Sequence, residues 1–261
     1  MGKKGGSRHL KRFPSPAFWP IHVKEFQWVV KPQPGPHPST MCFPISLIVK
    51  DVLHYAKTYQ EARKIINDGK IKIDGRVRKD TKFPVGLMDV IEVPDTNSYF
   101  RVLPVFNRKL YLVPIPKEEA SYKLCRIEGK TTIRGGHVQL NLHDGRNLLI
   151  RVKDPKKPEE AFYKKLDVVQ ISLPDQAILK HLKFDEKAYA LVTAGKNFGK
   201  HGRITKIEKG TALRPSIVSI EEAHGELFQT IADYTFVIGE EKPIIKLVEK
   251  GGELVGFTRS A

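Results

Sequence analysis

From about residue 106 onward, the chain consists of short runs in which apolar and polar residues alternate, separated by glycine-containing turn signals. Val138, Leu140 and Leu142 alternate with polar residues, and a second such run follows at residues 148–152. An alternation with a period of two places successive side chains on opposite faces of a β-strand. Asp-Gly and Gly-Gly pairs between such runs are typical of hairpin turns. The pattern predicts a central β domain over residues 106–175, with a barrel-like or sandwich shape.

The last third of the chain continues as strands, and it contains a basic loop in which glycines are spaced four and three residues apart. We expect these glycines, Gly195, Gly199 and Gly202, to serve a structural role by letting the backbone turn sharply. The cations predicted to contact RNA here are Lys196, Lys200, Arg203 and Lys206. Residues 215–241 carry six acidic residues and no Lys or Arg, so the charge is polarised along the chain. We predict a second β domain over 176–242, followed by a tail at 243–261.

Residues 43–105 show a different period, which predicts two short helices followed by a hairpin. The apolar positions that fall at helical spacing in the first helix are Ile45, Ile48, Val49 and Val52. Thr58 and Glu61 have the spacing of a capping box, in which each side chain satisfies a free backbone N–H group at the start of a helix. The sequence therefore predicts that the second helix begins after Thr58.

A dense group of cations follows that second helix. Gly69 is predicted to end the helix, and Asp74-Gly75 is predicted to be the turn of the hairpin. If the helix packs on the hairpin, its cations share one edge with those of the strands; we call this edge the cationic rim. The predicted rim residues are Arg63, Lys64, Lys70, Lys72, Arg76, Arg78 and Lys79. A row of cations that contacts phosphates releases several counterions from RNA. The alternative is that these charges only solvate a surface hairpin.

Residues 1–42 form a basic arm that is rich in proline and aromatic residues. Seven prolines hold its backbone extended and remove N–H donors from any sheet, and both tryptophans of the chain lie here. Interleaved basic and aromatic residues suit a segment that becomes ordered against RNA, so we expect an extended arm that is disordered in the free protein and ordered when bound. The alternative is a solvated basic tail. The residues predicted to contact RNA are Lys3, Lys4, Arg8, Lys11, Arg12 and Trp19.

Composition limits the class of function. The chain carries 45 Lys and Arg against 29 Asp and Glu, a formal net charge of +16, which indicates a polyanionic partner. A hydrophobic content of 40% excludes global disorder. No apolar run approaches the roughly 18–20 residues that span a bilayer, and prolines interrupt the basic N-terminus, so we expect neither a membrane partner nor secretion. The two cysteines, Cys42 and Cys125, cannot form a cysteine-rich zinc site, and no histidines are paired at metal-binding spacing; we predict no metal and no cofactor.

Two segments resemble known RNA-binding motifs. Residues 59–77, with the following Met88-Asp89-Val90-Ile91, resemble the alpha-L RNA-binding module. Residues 195–204 resemble a KOW motif, in which Gly202 is the most characteristic position. The order of these segments, with the proline-rich arm before them, resembles the archaeal and eukaryotic family of the fourth small-subunit ribosomal protein across nearly the whole chain. The short tail favours the archaeal type. One departure is Met88, which stands where the module usually has glycine.

The resemblance implies an α+β fold that is mostly β, with an extended N-terminal arm, an alpha-L module, a central β domain and a KOW-type SH3-like β-barrel. It implies a cytoplasmic constituent of the small ribosomal subunit that binds small-subunit rRNA and neighbouring ribosomal proteins, with no catalysis and no small-molecule substrate. Two alternatives remain. One is an RNA-modifying or RNA-processing enzyme, for which residues 143–146 (His-Asp-Gly-Arg) would supply an acid beside a base, although we interpret them first as a hairpin turn. The other is a KOW-bearing transcription or translation factor that binds transiently.

Overall fold

The computed structural model describes residues 7–105, 108–152, 162–211, 214–222 and 225–247. Across these residues the fold is mostly β, as predicted, with three five-stranded antiparallel sheets and two small two-stranded ribbons. We call the three large sheets the module sheet, the central sheet and the C-terminal sheet, in chain order. Helices are confined to the segment between the arm and the module sheet, apart from short 3₁₀ turns elsewhere in the described chain.

The N-terminal arm is folded onto the rest of the molecule. Strand β1 (Leu10–Lys11) pairs with β2 (Trp28–Val29), and β3 (Cys42–Pro44) pairs with β6 (Pro84–Gly86). The side chain of Trp19 is 2% exposed and belongs to the same apolar core as the two helices. Residues 7–42 are therefore docked on the module and are not a solvated tail, because single apolar side chains anchor the arm in a core that the module supplies.

The helical segment is divided in two. Helix α1 (Ile45–Leu47) continues into a π-helical turn (Ile48–Val52), and α2 (Tyr59–Asn67) starts at the predicted capping box. All four predicted apolar positions of the first segment are buried. The module sheet follows in the strand order β5-β4-β7-β8-β9. Its strands are β4 (Lys72–Ile73), β5 (Arg76–Val77), β7 (Val90–Val93), β8 (Ser98–Val105) and β9 (Arg108–Pro114).

The central sheet has the strand order β12-β11-β10-β13-β14. Its strands are β10 (Tyr122–Thr132), β11 (Val138–Leu142), β12 (Asn147–Ile150), β13 (Val168–Ser172) and β14 (Ile178–Leu182). Two predicted domain boundaries need correction. The boundary at 105/106 falls between the paired strands β8 and β9, and the boundary at 175/176 falls between β13 and β14. Each predicted boundary was placed at the turn of a hairpin, whose two strands belong to the same sheet.

The C-terminal sheet has the order β18-β17-β16-β15-β19. Its strands are β15 (Tyr189–Val192), β16 (His201–Glu208), β17 (Ile217–Glu221), β18 (Leu227–Ile231) and β19 (Thr235–Gly239). Arg203 of β16 lies opposite Glu221 of β17, and Lys200 forms an ion pair with Glu222, so part of the polarised charge of the sequence becomes paired charge in space. Gly202 on β16 pairs with Ala190, and its Cα lies so close to β17 that a Cβ would stand 2.1 Å from the carbonyl oxygen of Glu221.

Apolar contacts join the module sheet to the C-terminal sheet. Met88 has a left-handed backbone with a φ of 65°, which explains why the alpha-L module usually has glycine at this position. Its side chain is fully buried in the core that also holds Leu103, Val113 and the apolar residues of the C-terminal sheet. Burial of this side chain offsets the cost of the left-handed conformation.

Candidate RNA interface

Helix α2 provides the first part of the cationic rim. The Oγ1 atom of Thr58 accepts a hydrogen bond from the N–H of Glu61 (3.3 Å), and the Glu61 carboxylate accepts from the N–H groups of Lys57 and Thr58 (2.9 and 3.4 Å). These bonds fix the start of the helix. Ala62 and Ile66 are fully buried, so the intervening cations, Arg63 and Lys64, lie on the exposed face.

The hairpin β4–β5 provides the second part of the rim. Gly69 ends α2 with a φ of 78°, and a Cβ on it would stand 3.2 Å from Val77 and 3.8 Å from the Lys79 side chain. The end of α2 therefore lies against the hairpin, as the rim prediction requires. Arg76 and Lys79 are exposed, and Lys72 is half-buried.

The rim cations differ in how far the protein itself engages them. Lys70 forms an ion pair with Asp95 (3.1 Å), and the Arg78 guanidinium lies 4.6 Å from the ring centroid of Phe83. Among the residues that the structure describes, Lys70 is the only rim cation with a carboxylate oxygen within 4 Å. Apart from Lys70 and the ring-bound Arg78, five rim cations remain: Arg63, Lys64, Lys72, Arg76 and Lys79. These five side chains are available to phosphate oxygens.

The tip of the same hairpin is docked on the central sheet. Both predicted turn residues, Asp74 and Gly75, have left-handed backbones with φ of 50° and 72°, which is typical of a type I′ turn. The Asp74 carboxylate is buried, where it accepts from the Val90 N–H (3.0 Å) and pairs with Lys123 (3.0 Å) and Arg146. A Cβ on Gly75 would stand 3.2 Å from Pro174 of the central sheet, so the hairpin has a fixed orientation.

A buried charge cluster that was not predicted from the sequence surrounds Lys123. The Lys123 ammonium contacts three carboxylates, with Asp74 and Asp144 each at 3.0 Å and Asp89 as the third. Burial alone would lower the pKa of Lys123, but the three carboxylates raise it well above its ordinary value. Burial alone would raise the pKa of Asp144, but the charge of Lys123 outweighs burial and lowers this pKa to about 2. His37 of the arm pairs with Asp89 (3.0 Å), so the cluster joins the arm, the module and the central sheet.

One part of this cluster has the spacing of a metal site. Donor atoms of Cys125, His143 and Asp144 lie within 4.8 Å of one another. Burial raises the pKa of the Cys125 thiol well above its ordinary value, which keeps it protonated. The Asp144 carboxylate is paired with Lys123 and Arg146, so a divalent cation there would be repelled by two positive charges. These residues form a structural polar cluster.

A cavity of about 320 Å³ lies beside the cluster, between the arm, the hairpin and the central sheet. Its wall includes Pro36, Asp74, Arg76, Arg78, Lys123 and Arg146. Two of these residues, Arg76 and Arg78, belong to the rim, so the cavity opens at the same surface. Its walls carry both signs of charge.

Within the arm, the structure corrects two predicted RNA contacts. Trp19 is buried, and its indole N–H donates to the carbonyl of Cys42 (2.8 Å), so its ring is not available to stack on a base. Arg12 donates to the carbonyl of Ile21 from Nε and Nη2 (3.0 and 2.7 Å) and to Ser15, so it fastens the arm. Arg8 and Lys11 are exposed. The predicted contacts Lys3 and Lys4 lie outside the described residues.

The basic loop of the C-terminal sheet is partly neutralised by the protein. Lys200 pairs with Glu222 (2.9 Å) and is 17% exposed, which argues against the predicted phosphate contact. Lys196 and Arg203 are exposed, and the Arg203 Nε atom donates to the carbonyl of Lys187 (3.2 Å). Lys206 is exposed beside Glu208 (2.9 Å). Of the predicted structural glycines here, Gly195 and Gly199 have a positive φ, whereas Gly202 allows close packing of strands.

Among the described residues, no helix is both long enough and apolar enough to cross a bilayer.

Three known family models match separate segments of the chain. Residues 4–40 match the RS4NT (NUC023) domain, residues 51–91 match the S4 domain, and residues 96–178 match the Ribosomal family S4e. The S4 domain match covers α2, the rim and the hairpin, which confirms the predicted alpha-L module.

Similarity to individual proteins extends over nearly the full length. The chain is 55% identical to small ribosomal subunit protein eS4 of Staphylothermus marinus, over 95% of this chain and 99% of that protein. It is 49% identical to the eS4 protein of Methanocaldococcus jannaschii, over 95% and 100%. The crystal structure of 30S ribosomal protein S4e from Thermoplasma acidophilum covers 77% of this chain and 95% of its own, with 30% identity and a TM-score of 0.59. The chain therefore belongs to the eS4 family of small ribosomal subunit proteins.

Proposed function

We propose that the chain is a structural constituent of the small ribosomal subunit that binds small-subunit rRNA through the cationic rim. The observation that carries this proposal is the set of five rim cations on α2 and the hairpin that have neither a carboxylate partner, as Lys70 has, nor a ring contact, as Arg78 has, within the described chain. The relatives named above are proteins of the small ribosomal subunit, which supports rRNA as the polyanion and a cytoplasmic ribosome as the location. RNA helices offer backbone and shape more than base edges, which suits such a rim.

We further propose that the C-terminal sheet is a KOW-type barrel that makes a second contact. The antiparallel five-strand order, the tight packing at Gly202 and the exposed cations of the basic loop support this interpretation. Lys196 is its best-placed phosphate contact, because Lys200 and Lys206 already have carboxylate neighbours. Two tethered contacts raise the effective concentration of each and so the overall affinity. The acidic face around Glu221 and Glu226 would contact neighbouring ribosomal proteins.

The proposed role includes no chemistry. Asp144, the acid of the His-Asp-Gly-Arg segment, lies in the turn between β11 and β12 and is held between Lys123 and Arg146. Its lowered pKa keeps it ionised, and its side chain is buried. Asp144 lines the wall of the adjacent cavity, but Lys123 and Arg146 already occupy its carboxylate. The segment is therefore better explained as a hairpin turn that supports the charge cluster.

Sedimentation tests the proposed function against its two alternatives. We expect the tagged chain, expressed in an archaeal host, to sediment with small subunits in near-stoichiometric amount, because a structural constituent occupies every subunit. Quantitative blotting across a sucrose gradient measures this ratio. A chain found mainly at the top of the gradient, or at a small fraction of the subunits, would instead indicate a processing enzyme or a transient factor.

A further inference from the structure

The ribbon of the N-terminal arm has two unlike faces. In β1 and β2, Leu10 pairs with Val29 and Lys11 pairs with Trp28. Leu10 and Val29 pack against the apolar core that also holds Trp19. Successive side chains of a strand point to opposite faces, so Lys11 and Trp28 occupy the outer face of the ribbon.

The outer face exposes aromatic rings that the fold does not use. Trp28 is 54% exposed, and at the same end of the ribbon Phe13 and Phe26 are 86% and 54% exposed. Large aromatic side chains on a surface mark interaction sites when they occur together. The two tryptophans thus have opposite roles, with Trp19 buried as an anchor and Trp28 presented outward.

Cations surround these rings. The Lys11 ammonium lies 5.6 Å from the ring centroid of Trp28, and the Lys50 ammonium lies 5.5 Å from that of Phe26. The imidazole of His9 lies 5.5 Å from the Trp28 ring. Between residues 8 and 31 the chain carries five Lys or Arg residues and a single acid, Glu25. An occupant of this face therefore offers flat apolar groups together with negative charge, which is the chemistry of single-stranded RNA.

We propose that the outer face of the β1–β2 ribbon, centred on Trp28, is a stacking site for unpaired bases of RNA. A base stacks on the indole ring while Arg8 and Lys11 contact the flanking phosphates. Duplex RNA does not satisfy this site, because its bases are already stacked on one another. The inference rests on the proposed function and adds to it a preference for single-stranded RNA that the rim does not provide.

Fluorescence of a single tryptophan tests the proposal directly, since Trp19 and Trp28 are the only tryptophans of the chain. In the full chain carrying Trp19→Phe, all tryptophan emission comes from Trp28. We expect oligo(A) to quench this emission, and we expect a blunt RNA duplex and linear polyphosphate to bind with little quenching. Anisotropy of labelled oligo(A) in the same titration reports binding separately from stacking.

Variants of the parent chain give a second measurement that does not depend on Trp19→Phe. We expect Trp28→Ala to weaken oligo(A) binding about five-fold or more, from the lower end of base–aromatic stacking energies, and Trp28→Phe to retain most of the affinity. Phe162→Ala removes an aromatic residue that is 56% exposed outside the arm and serves as the matched control, with parent-like affinity.

Four results would overturn the proposal. Equal quenching by polyphosphate would show that no base stacks on Trp28, and so would an unchanged oligo(A) affinity in Trp28→Ala. Either result would leave the proposed function intact. Emission that changes only in assembled subunits, and not with oligo(A), would assign the ribbon to a protein neighbour. A parent chain that binds no RNA at all would remove the proposed function together with this inference.

Discussion

Lys123 is a cation on the inward face of a strand, where its neighbours are apolar. Lys123, Cys125 and Ile127 alternate along β10, and the last two lie in the core of the central sheet. A lone ammonium at such a position would cost several kcal/mol of desolvation, so it requires partners. The alternation alone could have indicated a buried ion pair at Lys123. The partners, Asp74 and Asp89, come from another sheet, and no local pattern identifies them.

His143 is a half-buried neutral base in the same cluster. Its Nδ1 atom accepts from the N–H of Arg126 (3.2 Å), and Nε2 faces the carbonyl of Leu87 (3.3 Å), so Nε2 carries the proton. Burial, with a further contribution from the charge of Lys123, lowers its pKa to about 3. Because the unfolded chain then binds the proton more readily, stability is fully present above pH 6.5 and falls as the pH drops from 6.5 toward 3.

Replacing this side chain should remove that pH dependence. We expect the free energy of unfolding of the parent to fall by about 1.4 kcal/mol per pH unit between pH 6 and pH 4 from this residue, and His143→Gln to lack this slope. Urea denaturation at pH 6, 5 and 4 measures it. His22→Gln, at an exposed position, is the control and should keep the parental slope. Identical slopes in parent and His143→Gln would show that His143 titrates normally. Protonation of Asp144 reduces stability only at lower pH, between about pH 3.8 and about pH 2.

The N-terminal arm shows what element-level patterns can and cannot predict. Its prolines predicted an extended backbone, and the helix α2, its capping box and the Asp74-Gly75 hairpin were all predicted from local signals. The packing of the arm was not predicted, because its core residues do not follow any regular period: Trp19, Ile21 and Val29. Each fills a place in a core formed by distant residues. Similarly, a turn inside a hairpin and a turn between domains look alike in sequence. Two predicted domain boundaries were therefore placed inside hairpins.

The anchoring role of Trp19 leads to a prediction for this element. Truncating a buried tryptophan costs about 3–5 kcal/mol, and the loss here should release the arm. We expect trypsin to cleave after Arg12 slowly in the free parent chain and much faster in Trp19→Ala. Phe13→Ala, at a position that is 86% exposed, should behave like the parent. Mass spectrometry of timed digests measures the rates. Rapid cleavage of the parent at Arg12 would mean that the arm is not docked in solution.

At the scale of the whole molecule, the charge cluster and the shared cores hold the RNA-facing surfaces in fixed relation. Asp74 belongs to the hairpin that carries the rim, yet its carboxylate is bound by Lys123 and Arg146 of the central sheet. The net charge of +16 predicted a polyanionic partner but not which cations face it. That selection comes from folding, which pairs Lys200 with Glu222 and leaves Arg63 and Lys64 exposed.

The salt dependence of RNA affinity tests the central claim that the rim contacts rRNA. The rim variant replaces Arg63, Lys64, Lys72 and Arg76 with Ala, and a control variant with the same reduction in charge replaces Lys117, Arg134, Lys165 and Lys180, all exposed outside the rim. We expect small-subunit rRNA to bind the rim variant more weakly, with the slope of log affinity against log salt reduced by about 0.7–0.9 for each phosphate that the variant no longer neutralises. The control should keep most of the parental slope, and circular dichroism should match across all three. Equal slopes for the rim variant and the parent would contradict the account.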